Sequence, residues 1–230
     1  MTPRVALICA VFVAAVIGWW LWNHPRGGVP AERVVWSRDP VQEEPELEPF
    51  ELTTREGPVK VIPRARYDLN GVLVSHRKNL DAFSYLIPID ACIVWGLYGD
   101  EKERTDLSVS NHGRVCYVQY RSGIDGTYLM THLSNNHLVP ANENVRRAIF
   151  WMGDGDEVRL QGQLVDLEVP VPHDHLSDLL NQLGKGDLGN AEQHGDTFVW
   201  KTSLTRDDTG MGACETMWVT SVQIGKKLYQ

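Results

Sequence analysis

The feature that most constrains this chain is an apolar run close to its N-terminus. Residues Val5–Trp22 contain no charged side chain. As an α-helix, this run rises about 27 Å, which is close to the roughly 30 Å hydrocarbon core of a bilayer. The sequence therefore predicts a transmembrane anchor over residues 1–22, with residues 5–22 in contact with the membrane.

The end of the run favours a retained anchor over a cleaved signal peptide. A signal peptide ends in small residues at its cleavage site, whereas this run ends in Trp19, Trp20 and Trp22, whose rings favour the membrane interface. No small-residue motif of the lipoprotein type precedes Cys9. Because few residues precede the helix, we expect a single-pass protein of the inner (cytoplasmic) membrane, with its C-terminal domain periplasmic or extracellular.

Residues 23–63 differ in composition from the rest of the chain. They hold seven of the twelve prolines, and eight acidic residues against five basic ones. Proline interrupts helices and sheets, and like charges repel one another. This composition predicts an extended Pro/Glu-rich spacer that holds the next domain away from the membrane. The alternative is a docking segment for a basic partner, anchored by Val34, Val35 and Trp36.

Residues 64–230 are long enough for one domain with its own core. Short runs rich in β-branched and aromatic residues alternate with Gly, Asp and Asn, which is typical of strands. The predicted strands are Tyr67–Ser75, Ala91–Tyr98, Val115–Tyr120, Val158–Leu167, Phe198–Leu204 and Met217–Ile224.

Two helices are predicted among these strands. Asn142 is a suitable N-cap for a helix that ends at Gly153, and leucines at helical spacing indicate a second helix over Leu176–Leu183. Three strands, a helix and further strands follow the order of an OB-type barrel. The expected fold is mainly β with one or two helices, as a small OB-like barrel or β-sandwich after an N-terminal transmembrane helix.

The net charge of −8 argues against a nucleic-acid partner, because the phosphate backbone demands a positive surface. An OB-like surface that binds glycan or nucleic acid by stacking remains an alternative. Its rings would come from Trp95, Tyr117, Tyr120 and Trp200.

The cysteines are compatible with an oxidising compartment. Cys92 and Cys116 lie on the second and third predicted strands, which are neighbours in such a barrel, so they form a candidate disulfide. Two buried thiols are the alternative. Cys214 is left over, and a nucleophilic role for it requires His132 or His137 as a base.

Two polar runs are candidate sites. The first run holds His132, Asn135, Asn136 and His137, and the second holds Arg206, Asp207, Asp208 and Glu215. Imidazoles and amides serve catalysis or ligand binding, and the acidic groups suit a hard cation. Both runs also have the composition of turns, which is the favoured interpretation, with Arg206 pairing with Glu215. No calcium-loop spacing occurs, His173 and His175 lack a fixed third ligand, and no metal or cofactor is expected.

The motifs around these runs resemble a known family. Ser134–His137 with Pro140, Ala141 and Asn142, and the run TRDDTGxGACE over residues 205–215, are similar to motifs in a functionally uncharacterised family of small bacterial membrane-anchored proteins. The resemblance covers residues 67–224. It implies a shared architecture and places the two runs on one surface.

The layout of anchor, spacer and one domain predicts a binding or assembly module of a bacterial envelope complex, with an envelope protein as partner. Common enzyme signatures are absent from the sequence, which favours a non-enzymatic role. The alternative is a hydrolase or metal-dependent enzyme, in which the two histidines of the first run converge with the acidic residues of the second.

Overall fold

The helices and strands follow one another in the order α1, β1 to β7, α2, β8, α3 and β9 to β13. The computed structural model describes residues 3–170, 191–194, 197–206, 208 and 213–230. The helices are α1 (Pro3–Asn23), α2 (Gly126–Thr131) and α3 (Glu143–Trp151). The strands are β1 (Val29–Pro30), β2 (Val41–Glu43), β3 (Phe50–Thr54), β4 (Gly57–Lys78), β5 (Ile89–Val94), β6 (Leu107–His112), β7 (Val115–Tyr120), β8 (Leu133–Pro140), β9 (Glu157–Pro170), β10 (Ala191–His194), β11 (Thr197–Trp200), β12 (Glu215–Ile224) and β13 (Lys227–Tyr229).

Five strands of the large sheet pair in a closed cycle. β4 pairs with β5, β5 with β8, β8 with β12, β12 with β9, and β9 again with β4. All these pairings are antiparallel except that of β8 with β12, which is parallel. The predicted mainly β fold is confirmed, and we call these five strands the ring.

Two apolar clusters lie on opposite faces of the ring strands. The first lies on the face that we call the inner face, where Tyr67, Leu138 and Met217 belong to one cluster with Val145 and Ile149 of α3. The second lies on the outer face and includes side chains of the segment before β5 and of β11. Its largest fully buried members are Phe83, Phe198 and Trp200.

The prediction of a spacer over residues 23–63, and hence of a domain boundary at residue 64, is wrong. β1 pairs with β13, and β2 and β3 pair with β4, which already begins at Gly57. The prolines do not prevent this pairing, because Pro30 belongs to a two-residue strand and Pro63 lies beside a register shift in the pairing of β4 with β9. Edges and bulges are the places where a sheet tolerates proline. Val34 of the supposed spacer is 4% exposed.

α1 leads directly into the domain. Asn144 of α3 accepts a hydrogen bond from the Arg26 amide at 2.7 Å and donates to the Arg26 carbonyl at 3.0 Å. The His24 ring packs between Trp20 and Trp151, with centroids 4.5 and 4.2 Å away. The side chains of residues 5–20 are all exposed. Among the residues that the structure describes, no helix is found to be long and apolar enough to cross a membrane.

The helix that Asn142 was predicted to cap is confirmed. The side-chain oxygen of Asn142 accepts hydrogen bonds from the backbone amides of Asn144 and Val145, both at 2.9 Å. The second predicted helix, over residues 176–183, lies outside the described residues.

The turn predicted for the first polar run is wrong, because residues 133–140 form the central strand β8. The side-chain nitrogens of Asn135 and Asn136 donate hydrogen bonds to β5, to the β6–β7 hairpin and to neighbouring side chains rather than within a turn.

β6 and β7 form a separate two-stranded sheet. A disulfide between Cys92 of β5 and Cys116 of β7 ties this hairpin to the ring, with the two Cα atoms 6.0 Å apart. The disulfide thus joins the pair of cysteines that the strand order indicates.

Candidate functional site

The two polar runs lie side by side in the structure. β8 pairs in parallel with β12, with Asn136 opposite Glu215 and His137 opposite Thr216.

Successive side chains of a strand point to opposite faces, so the runs contribute to two different networks. Asn135, His137 and Cys214 belong to the outer face of the ring, where the His137 ring packs on Trp200. Asn136 and Glu215 belong to the inner face. His137 and Glu215 are therefore one register position apart and yet do not share a site.

A buried ion pair dominates the outer face. Nδ1 of His137 lies 2.8 Å from Oδ1 of Asp90, and both side chains are fully buried. These two residues are register partners on β8 and β5. Because Nδ1 is occupied by the carboxylate, Nε2 is the ring nitrogen left to act on another group.

Arg114, in the turn of the β6–β7 hairpin, adds a second positive charge beside this pair. Gly113 and Arg114 form the turn with positive φ values of 53° and 62°, as a type I′ hairpin turn requires. The guanidinium binds Asp81 through two hydrogen bonds of 2.7 and 2.8 Å and lies 3.4 Å from Asp90. It also packs over the Trp200 ring at 5.2 Å.

The electrostatics of this cluster favour a protonated His137. Burial alone lowers the pKa of an imidazole, but the Asp90 carboxylate and the Cys214 thiol outweigh it and raise the pKa of His137 to about 10. With His137 protonated, its charge and that of Arg114 balance the two carboxylates of Asp81 and Asp90. The cluster then holds a charged imidazolium beside Cys214.

Two amide side chains connect Cys214 to the disulfide. Nδ2 of Asn135 donates to Sγ of Cys214 at 3.2 Å and to the Arg114 carbonyl at 2.7 Å. Nδ2 of Asn111 donates to Oδ1 of Asn135 at 3.2 Å and lies 3.5 Å from Sγ of Cys92. The second sulfur of the disulfide, that of Cys116, is 3.9 Å from the same nitrogen.

The inner-face network closes one end of the ring. Arg206 donates to Oε1 of Glu215, and to the Tyr67 hydroxyl at 2.6 Å. The predicted pairing of Arg206 with Glu215 is therefore present. Burial raises the pKa of Glu215 to about 7, although Arg206 opposes the shift.

A cavity of about 90 Å³ joins the two networks. Its wall includes Asn135, Cys214, Arg206 and Glu215, and also Cys116 from the hairpin. It is the place where a small molecule or a neighbouring side chain can approach Cys214.

The remaining predicted site residues are dispersed. His132 stacks on Tyr128 at 3.7 Å and lies 3.5 Å from Asp39, apart from the His137 pair. Asp208 accepts a hydrogen bond from Ser203 at 2.6 Å. Asp207, His173 and His175 lie outside the described residues. In the described part of the chain, no three His, Cys, Asp or Glu side chains are grouped as metal ligands. A single site that combines His132, His137 and the acidic run does not form there.

The aromatic residues considered for stacking separate into two pairs. Trp95 and Trp200 are buried in the core, whereas Tyr117 and Tyr120 are about half exposed on β7. The described surface thus offers two of the four rings to a ligand.

Sequence reasoning missed Asp90 and Arg114. Asp90 interrupts the apolar run Ile87–Val94, and a charge inside such a run is a signal of a buried ion pair. Arg114 follows a glycine in a hairpin turn, and no local pattern shows that its side chain turns inward.

Comparison of the chain with protein-family models, curated proteins and solved structures finds no match.

Proposed function

We propose that this chain is a membrane-anchored, extracytoplasmic binding or assembly module of a bacterial envelope complex. The observation that carries the proposal is α1. The side chains of residues 5–20 are uncharged and all exposed, so they cover no part of the domain. An apolar surface of this extent needs a covering, and a bilayer provides one for every face of the helix.

The junction between α1 and α3 supports the same proposal. Trp19, Trp20, Trp22 and Trp151 surround the end of α1, and Arg147 packs over the Trp22 ring at 5.6 Å. Tryptophan and arginine side chains of this kind favour the region between hydrocarbon and water. The domain would then rest on the membrane surface, with α3 facing it.

The ring supports an OB-like barrel as the binding scaffold. It has five strands, and α3 lies between its third and fourth strands in chain order. Proteins of this architecture bind ligands on an exposed strand face and its adjoining loops. Here the hairpin β6–β7, with Tyr117 and Tyr120, offers a surface to a protein partner, and the acidic net charge favours a basic or neutral one.

Purification from solubilised membranes tests this function. The full-length chain with a C-terminal affinity tag should recover the same envelope protein in constant stoichiometry. A Tyr117→Ala/Tyr120→Ala variant should lose that partner. The matched control is Tyr85→Ala, which changes a ring outside the hairpin. Repeated recovery of the chain alone, in a detergent that keeps it folded, would contradict a role in an assembly.

A further inference from the structure

Three sulfur atoms lie around the Asn135 side chain at the outer face of the ring. Asn135 on β8 has Cys92 as its register partner on β5. On the opposite side, Asn135 donates a hydrogen bond to Cys214, just before β12. Cys116 joins the group through its disulfide with Cys92. A thiol and a disulfide therefore lie on either side of one amide side chain.

The surroundings of the thiol suit it to nucleophilic attack. His137 lies beside Cys214 and is held by Asp90 through Nδ1. Nε2 of His137 is buried, and the His137 ring also interacts with the Cys214 side chain. The His137 ring and the Asn135 amide therefore both lie against Sγ of Cys214, and a cysteine sulfur attacks disulfides as its thiolate.

The backbone geometry selects Cys116 as the sulfur attacked. Cys92 and Cys214 are separated by two strand spacings, about 10 Å between their backbones. A disulfide tolerates only about 7 Å between Cα atoms. Cys116, in contrast, lines the same cavity as Cys214. It belongs to a hairpin that has no ladder to the described strands of the large sheet, so a shift of the hairpin breaks the contacts of Arg114 but none of the strand pairings of the ring.

We propose that Cys214 and the Cys92–Cys116 disulfide form a thiol–disulfide exchange centre, in which Cys214 displaces Cys92 from Cys116. Cys214 gives its proton to solvent, and the thiolate attacks Sγ of Cys116. The bond between the sulfurs of Cys92 and Cys116 breaks, and its electron pair passes to Cys92, which takes up a proton. One disulfide replaces another, so the step needs no external oxidant or reductant.

The exchange would change how the hairpin is held. In the structure, the disulfide fastens β7 to β5. After exchange, it fastens β7 to the segment before β12 and uncovers the Cys92 thiol. This centre is independent of the proposed membrane anchor and assembly role.

A trapped disulfide tests the centre in the full-length chain in detergent. In a Cys9→Ser background, Cys92→Ser removes the resting partner of Cys116. With oxidised glutathione, peptide mapping should then find Cys116 joined to Cys214. The control Cys116→Ser should give no bond between Cys92 and Cys214. Adding His137→Gln to the trap should slow bond formation about tenfold, because it removes the positive charge beside Sγ of Cys214.

Wild-type protein provides a second measurement that does not depend on the folding of the trap variant. After incubation at pH 8 and acid quenching, the peptide that joins Cys116 to Cys214 should be detectable, with the alkylating label on Cys92. In the wild type Cys9 is labelled in either case; label on Cys214 with none on Cys92 would overturn the proposal. A natively folded trap variant in which Cys116 and Cys214 both remain alkylatable would overturn it as well.

Discussion

At the scale of single residues, a buried charge cluster organises the outer face of the ring. Asp90, His137 and Arg114 are each 3% exposed or less. Charges so deeply buried are tolerated only when each has a partner, because desolvation costs several kcal/mol per ion. Arg114 provides that partner from outside the ring, so it connects the hairpin to the strands electrostatically as the disulfide does covalently.

Arg114→Leu should therefore destabilise the protein by roughly 3 to 5 kcal/mol, because it leaves buried carboxylates without their cation. Chemical unfolding of the full-length chain in detergent measures this loss. Arg121→Leu is the matched control, since its ion pair with Asp106 is 83% exposed on the arginine side and should contribute little. Equal effects of the two substitutions would contradict the clamping role of Arg114.

The raised pKa of His137 makes stability depend on pH. The folded protein holds this proton more tightly than the unfolded chain, whose histidine has its ordinary pKa of 6.5. The stabilisation is complete below about pH 6.5 and is lost as the pH rises through about 10. Unfolding free energies measured across this range should fall with pH in the wild type. They should fall less in His137→Gln and in Asp90→Asn, and an unchanged slope in both variants would contradict the ion pair.

At the scale of elements, closure of the ring depends on a glycine. Gly162 of β9 faces β12 so closely that a Cβ atom would lie 1.9 Å from the carbonyl oxygen of Trp218. That oxygen belongs to the backbone and cannot move aside without separating the strands. The pairing of β9 with β12 is the contact that makes the cycle of five strands complete.

Gly162→Ala should accordingly destabilise the domain more than any ordinary surface substitution, and thermal unfolding should show a clear loss. Gly153→Ala is the control, because its new Cβ would meet only a side-chain oxygen at 3.7 Å. If the two variants melt at the same temperature, β9 and β12 do not approach as closely as described.

Elements with a strong local pattern were predictable, and those set by distant contacts were not. The cap at Asn142 and the alternation in β9 are local signals, and α3 and β9 were predicted from them. β8 was taken for a turn because Ser134, Asn135 and Asn136 are turn formers. Its backbone groups pair with β5 and β12 instead, and a single sequence does not show that pairing. The proline-rich segment was misjudged for the same reason, since β2 and β3 are held by β4.

The same distinction applies to the candidate site: its local contacts were predictable from the sequence, and its contacts between distant segments were not. The pairing of Arg206 with Glu215 follows from their positions at the base of one excursion. The joining of His137 to Asp90 and Cys214 depends on register between strands that are far apart in sequence. Alternation along β8 and β12 then assigns His137 and Glu215 to different faces, which no inspection of the two motifs alone indicates.

At the scale of the whole molecule, the domain is attached closely to α1. Asn144 binds both backbone groups of Arg26 and also the carbonyl oxygen of Gln230, so the end of α1 and the C-terminus meet at α3. The proposed anchor therefore leaves no long tether. A partner that binds the domain would be met at the membrane surface rather than tens of ångströms above it.

The central claim is that the β domain is displayed outside the cytoplasm by a retained membrane helix. Protease treatment of intact spheroplasts measures this directly, with a C-terminal epitope after Gln230. The proposal predicts that the protein stays with membranes at alkaline pH and that the epitope is lost without lysis of the spheroplasts. An epitope that is protected until the membrane is opened, or a protein that alkali releases, would contradict it.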